Sequence, residues 1–189
     1  MSDLFHEDVP ISYLQEVFAV MKETPWHIYQ ILTKRDQRLV ELAPELEWSD
    51  NIWMGVSVEN QPYTERIDAL REVPAKVRFL SCEPLLGALE LDLTGIHWVI
   101  VGGESGFKHR PIKPEWVQSI LEQTQKAEVP FFFKQWGGRY SKAGGRIFND
   151  RTWDQMPIAW NEHLMQYKHK FSSKSKLMKI KQKFLLSTH

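Results

Sequence analysis

Cysteine is almost absent from this chain: Cys82 is the only one. A disulfide within the chain is therefore excluded, and so is a metal centre built from several of its own thiolates. A reducing, cytoplasmic setting fits that usage. Net charge is also lacking, with 24 Lys and Arg against 24 Asp and Glu. Bulk electrostatics therefore mark the chain neither as a nucleic-acid binder nor as a membrane-surface protein. No apolar run reaches the length of a membrane span. Asp3, His6, Glu7 and Asp8 interrupt the first residues, which predicts no secretory signal and no membrane partner.

The chain has 189 residues, 42% of them hydrophobic and 25% charged, enough for one substantial core. Eight tryptophans are many for this length. The zero net charge hides an asymmetry. Residues 1–150 carry 16 basic against 22 acidic side chains, and residues 151–189 carry eight against two. The acidic part holds the regular patterning. The basic part, KHKFSSKSKLMKIKQKF above all, reads as a helical or disordered extension too poor in apolar residues to form a core. Binding of phosphate-rich partners such as nucleic acid is the weaker functional reading of that tail.

Three short apolar runs organise the acidic part: NIWMGVSVEN, KVRFLSCEP and HWVIVGGES. Each ends in a small polar or acidic cluster and is rich in Val, Ile, Phe and Trp, as buried parallel strands are. Two more runs, HIYQILTK at 27–34 and FFFKQ at 131–135, bring the strand count to five. Between them lie helical patterns. Leu14, Val17, Phe18 and Met21 mark a first helix with Asp8 as its N-cap. Residues 36–43 form a second, a third starts near Pro62 with Ile67 and Leu70 inward, and a fourth runs from Pro114 to about Ala127. Residues 85–93 read as a loop or short strand. This alternation predicts a parallel sheet, which suits an open doubly wound sheet or part of a barrel.

In parallel α/β proteins, ligands bind beyond the carboxyl ends of the strands. Those ends carry Thr33 and Lys34, Ser57 and Glu59, Ser81 and Glu83, Gly102 to Ser105, and Lys134 to Trp136. Carboxylates after three successive strands are more than rim solvation requires. Glu59, Glu83 and Glu104 are candidate acids and bases or acceptors for ligand amines, with Lys34 and Lys134 as partners or anion binders. Ser57, Ser81, Gly102, Gly103, Glu104 and Gln135 are candidate binding residues for an unknown small molecule. The VIVGGESG turn satisfies neither GxGxxG nor a phosphate loop. No histidines stand at zinc spacing, so no metal ligand is assigned. His27 and His97, at strand starts, are expected to be structural. His6 reaches toward the pocket side, and Cys82 is expected to be a buried, inert thiol. Trp53 and Trp98 are expected in the core, while Trp136 is open to a pocket or a packing role.

Taken together, MSDLFHEDVP, QILTKR, GVSVEN, SCEPLLG, WVIVGGESG, RPIKPEW and PFFFKQWGG resemble the phage Gp37/Gp68 family, also called DUF5131, over residues 1–157. The resemblance implies a divergent radical S-adenosylmethionine barrel. The full domain would hold a four-iron, four-sulfur cluster on a CxxxxxxCxxCY segment further upstream and would bind S-adenosylmethionine. This chain lacks that segment and so carries no cofactor on its own. The implied architecture is an incomplete α/β barrel of about five parallel strands over 1–157, followed by the basic extension 158–189. Met1 is then an internal methionine of a longer domain, and the chain a C-terminal fragment inactive alone. Two exposed sheet edges and an uncovered core would call for a missing N-terminal segment or a homodimer. A non-catalytic ligand- or nucleic-acid-binding module of phage origin, or a metal-dependent hydrolase using the three glutamates, are the alternatives.

Overall fold

The computed structural model describes residues 3–140 and 143–168. Five strands, β1 (Tyr29–Thr33), β2 (Ile52–Ser57), β3 (Arg78–Cys82), β4 (Trp98–Gly102) and β5 (Phe131–Gln135), form one sheet in the order β1-β2-β3-β4-β5. Every neighbouring pair is parallel. A doubly wound sheet reverses its strand order at a switch point; sequential order without reversal is that of a barrel. The sheet is open, so the fold matches an incomplete barrel.

The helices α1 (Ile11–Glu23), α2 (Asp36–Leu42), α3 (Arg66–Arg71) and α4 (Pro114–Lys126) pack on one face of the sheet. Alternation along the strands supplies that face with Ile31, Met54, Val56, Leu80, Cys82, Val99, Val101, Phe131 and Phe133. Between β3 and β4 no helix forms. Leu85, Leu89 and Leu93 of the connecting loop cover the sheet there instead. The N-cap of α1 is Pro10 rather than Asp8, and no side chain caps that end. Pro10 supplies the extended backbone that precedes the helix, so a capping carboxylate two residues earlier is out of reach.

The opposite face is divided in two. Its lower half, toward the strand starts, is aromatic: Trp53, Phe79, Trp98 and Phe132 meet edge to face or tilted, with ring centroids 5.8–6.3 Å apart. The last helix, α5 (Ile158–Gln166), lays Trp160 on Trp53 at 6.2 Å and covers this layer. Gly55 makes the layer possible, because a Cβ there would lie 2.4–2.6 Å from three atoms of the Phe79 ring.

The sheet stays open as expected, and the expectation of an uncovered core and two bare edges needs correction only over the aromatic layer and at the β5 edge. Beyond α5, residues 153–155 run antiparallel to β5, with Phe133 donating to the Trp153 carbonyl at 2.9 Å and Gln155 to that of Phe131 at 3.2 Å. The RIFNDRTWDQMP stretch is thus an irregular edge cover, with one antiparallel bridge between Phe148 and Arg151. Most of the basic tail, residues 169–189, lies outside the described residues. Among the described residues no helix is long and apolar enough to cross a membrane.

Candidate functional site

The upper half of the second face is polar, and alternation is the reason. Counting from Trp53, every second residue of β2 and its extension gives Gly55, Ser57 and Glu59. The same count from Phe79 gives Ser81 and Glu83, from Trp98 it gives Ile100 and Gly102, and from Phe132 it gives Lys134. The aromatic layer and the polar layer therefore belong to the same strands and their extensions, two to six residues apart. Ser57 and Ser81 are register partners across β2 and β3.

Two ion-paired groups flank these serines. On one side Glu59, only 5% exposed, accepts from Lys34 Nζ and, at 3.1 Å, from Arg66 Nη1. The same Arg66 nitrogen donates to the Ser57 carbonyl at 2.7 Å, and the guanidinium stacks on Tyr63 at 4.1 Å. On the other side Lys134 donates to Glu83 at 2.8 Å. Between them, Ser57 and Ser81 are 2% and 5% exposed, and neither hydroxyl bonds to a described side chain. Asn60 Oδ1, next to Glu59 in sequence, is buried with no partner among the described residues.

The glycine turn is built differently from a ligand cradle. A Cβ on Gly103 would lie 2.0 Å from the Trp136 carbonyl oxygen, so its bareness lets the ends of β4 and β5 come together. Gly103 donates to the Gln135 carbonyl at 2.9 Å, and Gly138 to that of Glu104 at 2.9 Å. Gly102 borders the polar layer, where a Cβ would sit 3.1 Å from the Glu83 carboxyl carbon. Glu104 is held by Arg110 through the side chain at 2.7 and 2.8 Å and through its backbone N–H at 2.7 Å. Those bonds hold its carboxyl down at about 2.

Several sequence candidates have structural partners. Thr33 donates to Asp3, which also accepts from Arg35 and ties the opening loop to β1. Gln135 donates to Ser105 at 3.1 Å. His6 accepts from the Asp8 backbone in its own loop, and His97 accepts from the Arg78 N–H. Burial and the neighbouring Arg78 lower the His97 pKa. Trp136 donates to the Ile147 carbonyl and packs on Phe133 and Phe148, which is a packing role. Burial, with Glu59 nearby, pushes the Cys82 thiol up to about 12. Arg66 and Arg110 escaped the sequence reading. Arg66 sits in a helix start and Arg110 in a loop, with no periodicity to aim either at a strand end.

The structure does not gather Glu59, Glu83 and Glu104 into one metal-binding group. Among the described residues no set of three His, Cys, Asp or Glu side chains is placed to hold an ion. Each carboxylate has its own cation instead.

A family model described as a protein of unknown function (DUF5131) matches residues 1–157. No curated protein and no solved structure matches the chain.

Proposed function

The chain belongs to the DUF5131 family, and from that premise we propose that residues 1–157 are the ligand-binding strands of a radical-S-adenosylmethionine-type barrel. One observation carries the reading. Ser57 and Ser81 are adjacent, buried and without side-chain partners, at the strand ends where α/β proteins bind ligands. The lysine–glutamate pairs on either side suit a zwitterionic or polyhydroxylated small molecule.

Two groups are implied by that chemistry. A four-iron, four-sulfur cluster does not fit this chain: its single cysteine faces the helix layer, with its thiol pushed up to about 12. Alone, the chain is therefore a binding unit without S-adenosylmethionine cleavage, and the cluster ligands would belong to another segment. S-adenosylmethionine does fit the donor set. Its ammonium and carboxylate match Glu83 and Lys134, and Ser81 and Gly102 stand beside them. When bound in the full domain, it supplies the radical chemistry. This chain's residues bind and orient, with Glu59 held rigid by Arg66.

The test is amide chemical-shift mapping of the full chain during titration with S-adenosylmethionine and S-adenosylhomocysteine. Shifts centred on Ser57, Ser81 and Gly102, lost in Lys134→Met, are expected. Absent shifts, or shifts centred elsewhere, reject the reading. Adding reduced iron and sulfide should yield no cluster absorbance; a stoichiometric four-iron cluster would overturn the assignment of the cluster to another segment.

A further inference from the structure

Beyond the ends of β4 and β5 the two chain segments stay together. Ser105 and Gly138 form a parallel bridge, and Gly106 donates to the Gly138 carbonyl at 2.9 Å. The resulting rim differs from the rest of an otherwise acidic domain. Residues 105–113 and 135–140 contain four Lys and Arg and no Asp or Glu. They also present two large rings to solvent, Phe107 at 79% and Tyr140 at 67% exposure. The Arg139 guanidinium lies 5.5 Å from one ring centroid and 5.7 Å from the other, so a cation is set against both.

The charges on this rim are not all engaged. Arg110 is taken up by Glu104. Among the described residues Arg139, Lys108 and Lys113 form no ion pair, and Lys113 lies over the Trp116 ring at 5.2 Å. Exposed rings interleaved with unneutralised cations, on segments that contain no Asp or Glu of their own, complement a flexible polyanion that carries flat groups.

We propose that this rim binds single-stranded nucleic acid, with bases stacking on Phe107 and Tyr140 and phosphates facing Arg139, Lys108 and Lys113. The inference is independent of the small-molecule reading above, because it uses none of the residues of the polar layer. Single strands are favoured over a duplex because the rings project from a loop rim, and stacking needs unstacked bases.

Fluorescence anisotropy of the full chain with a labelled oligodeoxythymidine at low salt tests it. Phe107→Ala, Tyr140→Ala and Arg139→Gln should each weaken binding roughly tenfold. Tyr140→Phe should bind like the parent, since it keeps the stacking ring. All three positions are exposed, so unchanged circular dichroism is expected and separates binding from folding. Three results would each overturn the proposal: no binding at low salt, equal binding by the three loop variants and the parent, or a duplex of the same length binding as tightly. The second result would transfer any nucleic-acid binding to other basic residues, including those at 169–189.

Discussion

Arg66 donates from a single nitrogen to both the Ser57 carbonyl and the Glu59 carboxylate, so one guanidinium joins the end of β2 to the start of α3. Glu59 is buried, and Arg66 shares that burial, whereas the Lys34 side chain on the other carboxylate oxygen is 54% exposed. The two cations on Glu59 are therefore unequal. Removing the buried partner leaves a desolvated charge, at a cost of about 3–5 kcal/mol. Removing the exposed one costs about 0–1 kcal/mol. Urea denaturation should rank Arg66→Ala far below Lys34→Ala in midpoint; equal midpoints would contradict this division.

At Gly55 an added methyl meets the Phe79 ring at less than any real contact distance. Both residues are buried within the aromatic layer, where neighbouring rings leave little room to shift. Gly55→Ala should lower stability by about 1–3 kcal/mol, the usual penalty of overpacking. Combining it with Phe79→Leu should recover part of that loss in a thermal melt. A fully additive double variant would show that the two sites do not touch.

Trp160 is the one large side chain that α5 buries, and it lies against Trp53. Trp160→Ala should cost about 3–5 kcal/mol and expose the aromatic layer. Near-ultraviolet circular dichroism should lose intensity while the far-ultraviolet signal persists. A variant as stable as the parent would mean that α5 does not hold this face.

Glu104 has its carboxyl lowered from 4.5 to about 2 by Arg110. For a depressed carboxylate the stabilising contribution is complete above its unfolded value and disappears as pH falls through the folded one. The Glu104–Arg110 clasp should therefore persist through mild acid and open only near pH 2. Carbon-detected titration of the Glu104 carboxyl should find its midpoint there, and Arg110→Ala should return it to the ordinary glutamate range. A midpoint near 4.5 in the parent would refute the clasp.

Much of the architecture was legible before any coordinates. HIYQILTK, NIWMGVSVEN, KVRFLSCEP, HWVIVGGES and FFFKQ each contain a strand within a residue or two of its predicted position, because apolar runs bounded by Pro, Gly and polar clusters leave few other choices. The loop at 85–93 was legible for the same reason: Leu85, Leu89 and Leu93 recur without a full helical face. The polar layer was partly legible, since strand ends are where α/β sheets place polar groups. What could not be read was pairing. Lys34 meets Glu59 and Lys134 meets Glu83 across 25 and 51 residues of chain, and sequence spacing carries no information about such contacts.

The sequence by itself determined the strands, the helices and the alternation that gives every strand one apolar side, since these depend on neighbours a few residues apart. Tertiary structure decided everything that depends on distant segments meeting. It set the sequential strand order that separates a partial barrel from a doubly wound sheet. It brought Trp160 over Trp53 from more than a hundred residues away and laid residues 153–155 along β5. It also fixed which cation each glutamate receives. The physical reason is the range of the forces: propensity and periodicity act along the chain, whereas burial and ion pairing act through space and become specific only once the sheet has formed.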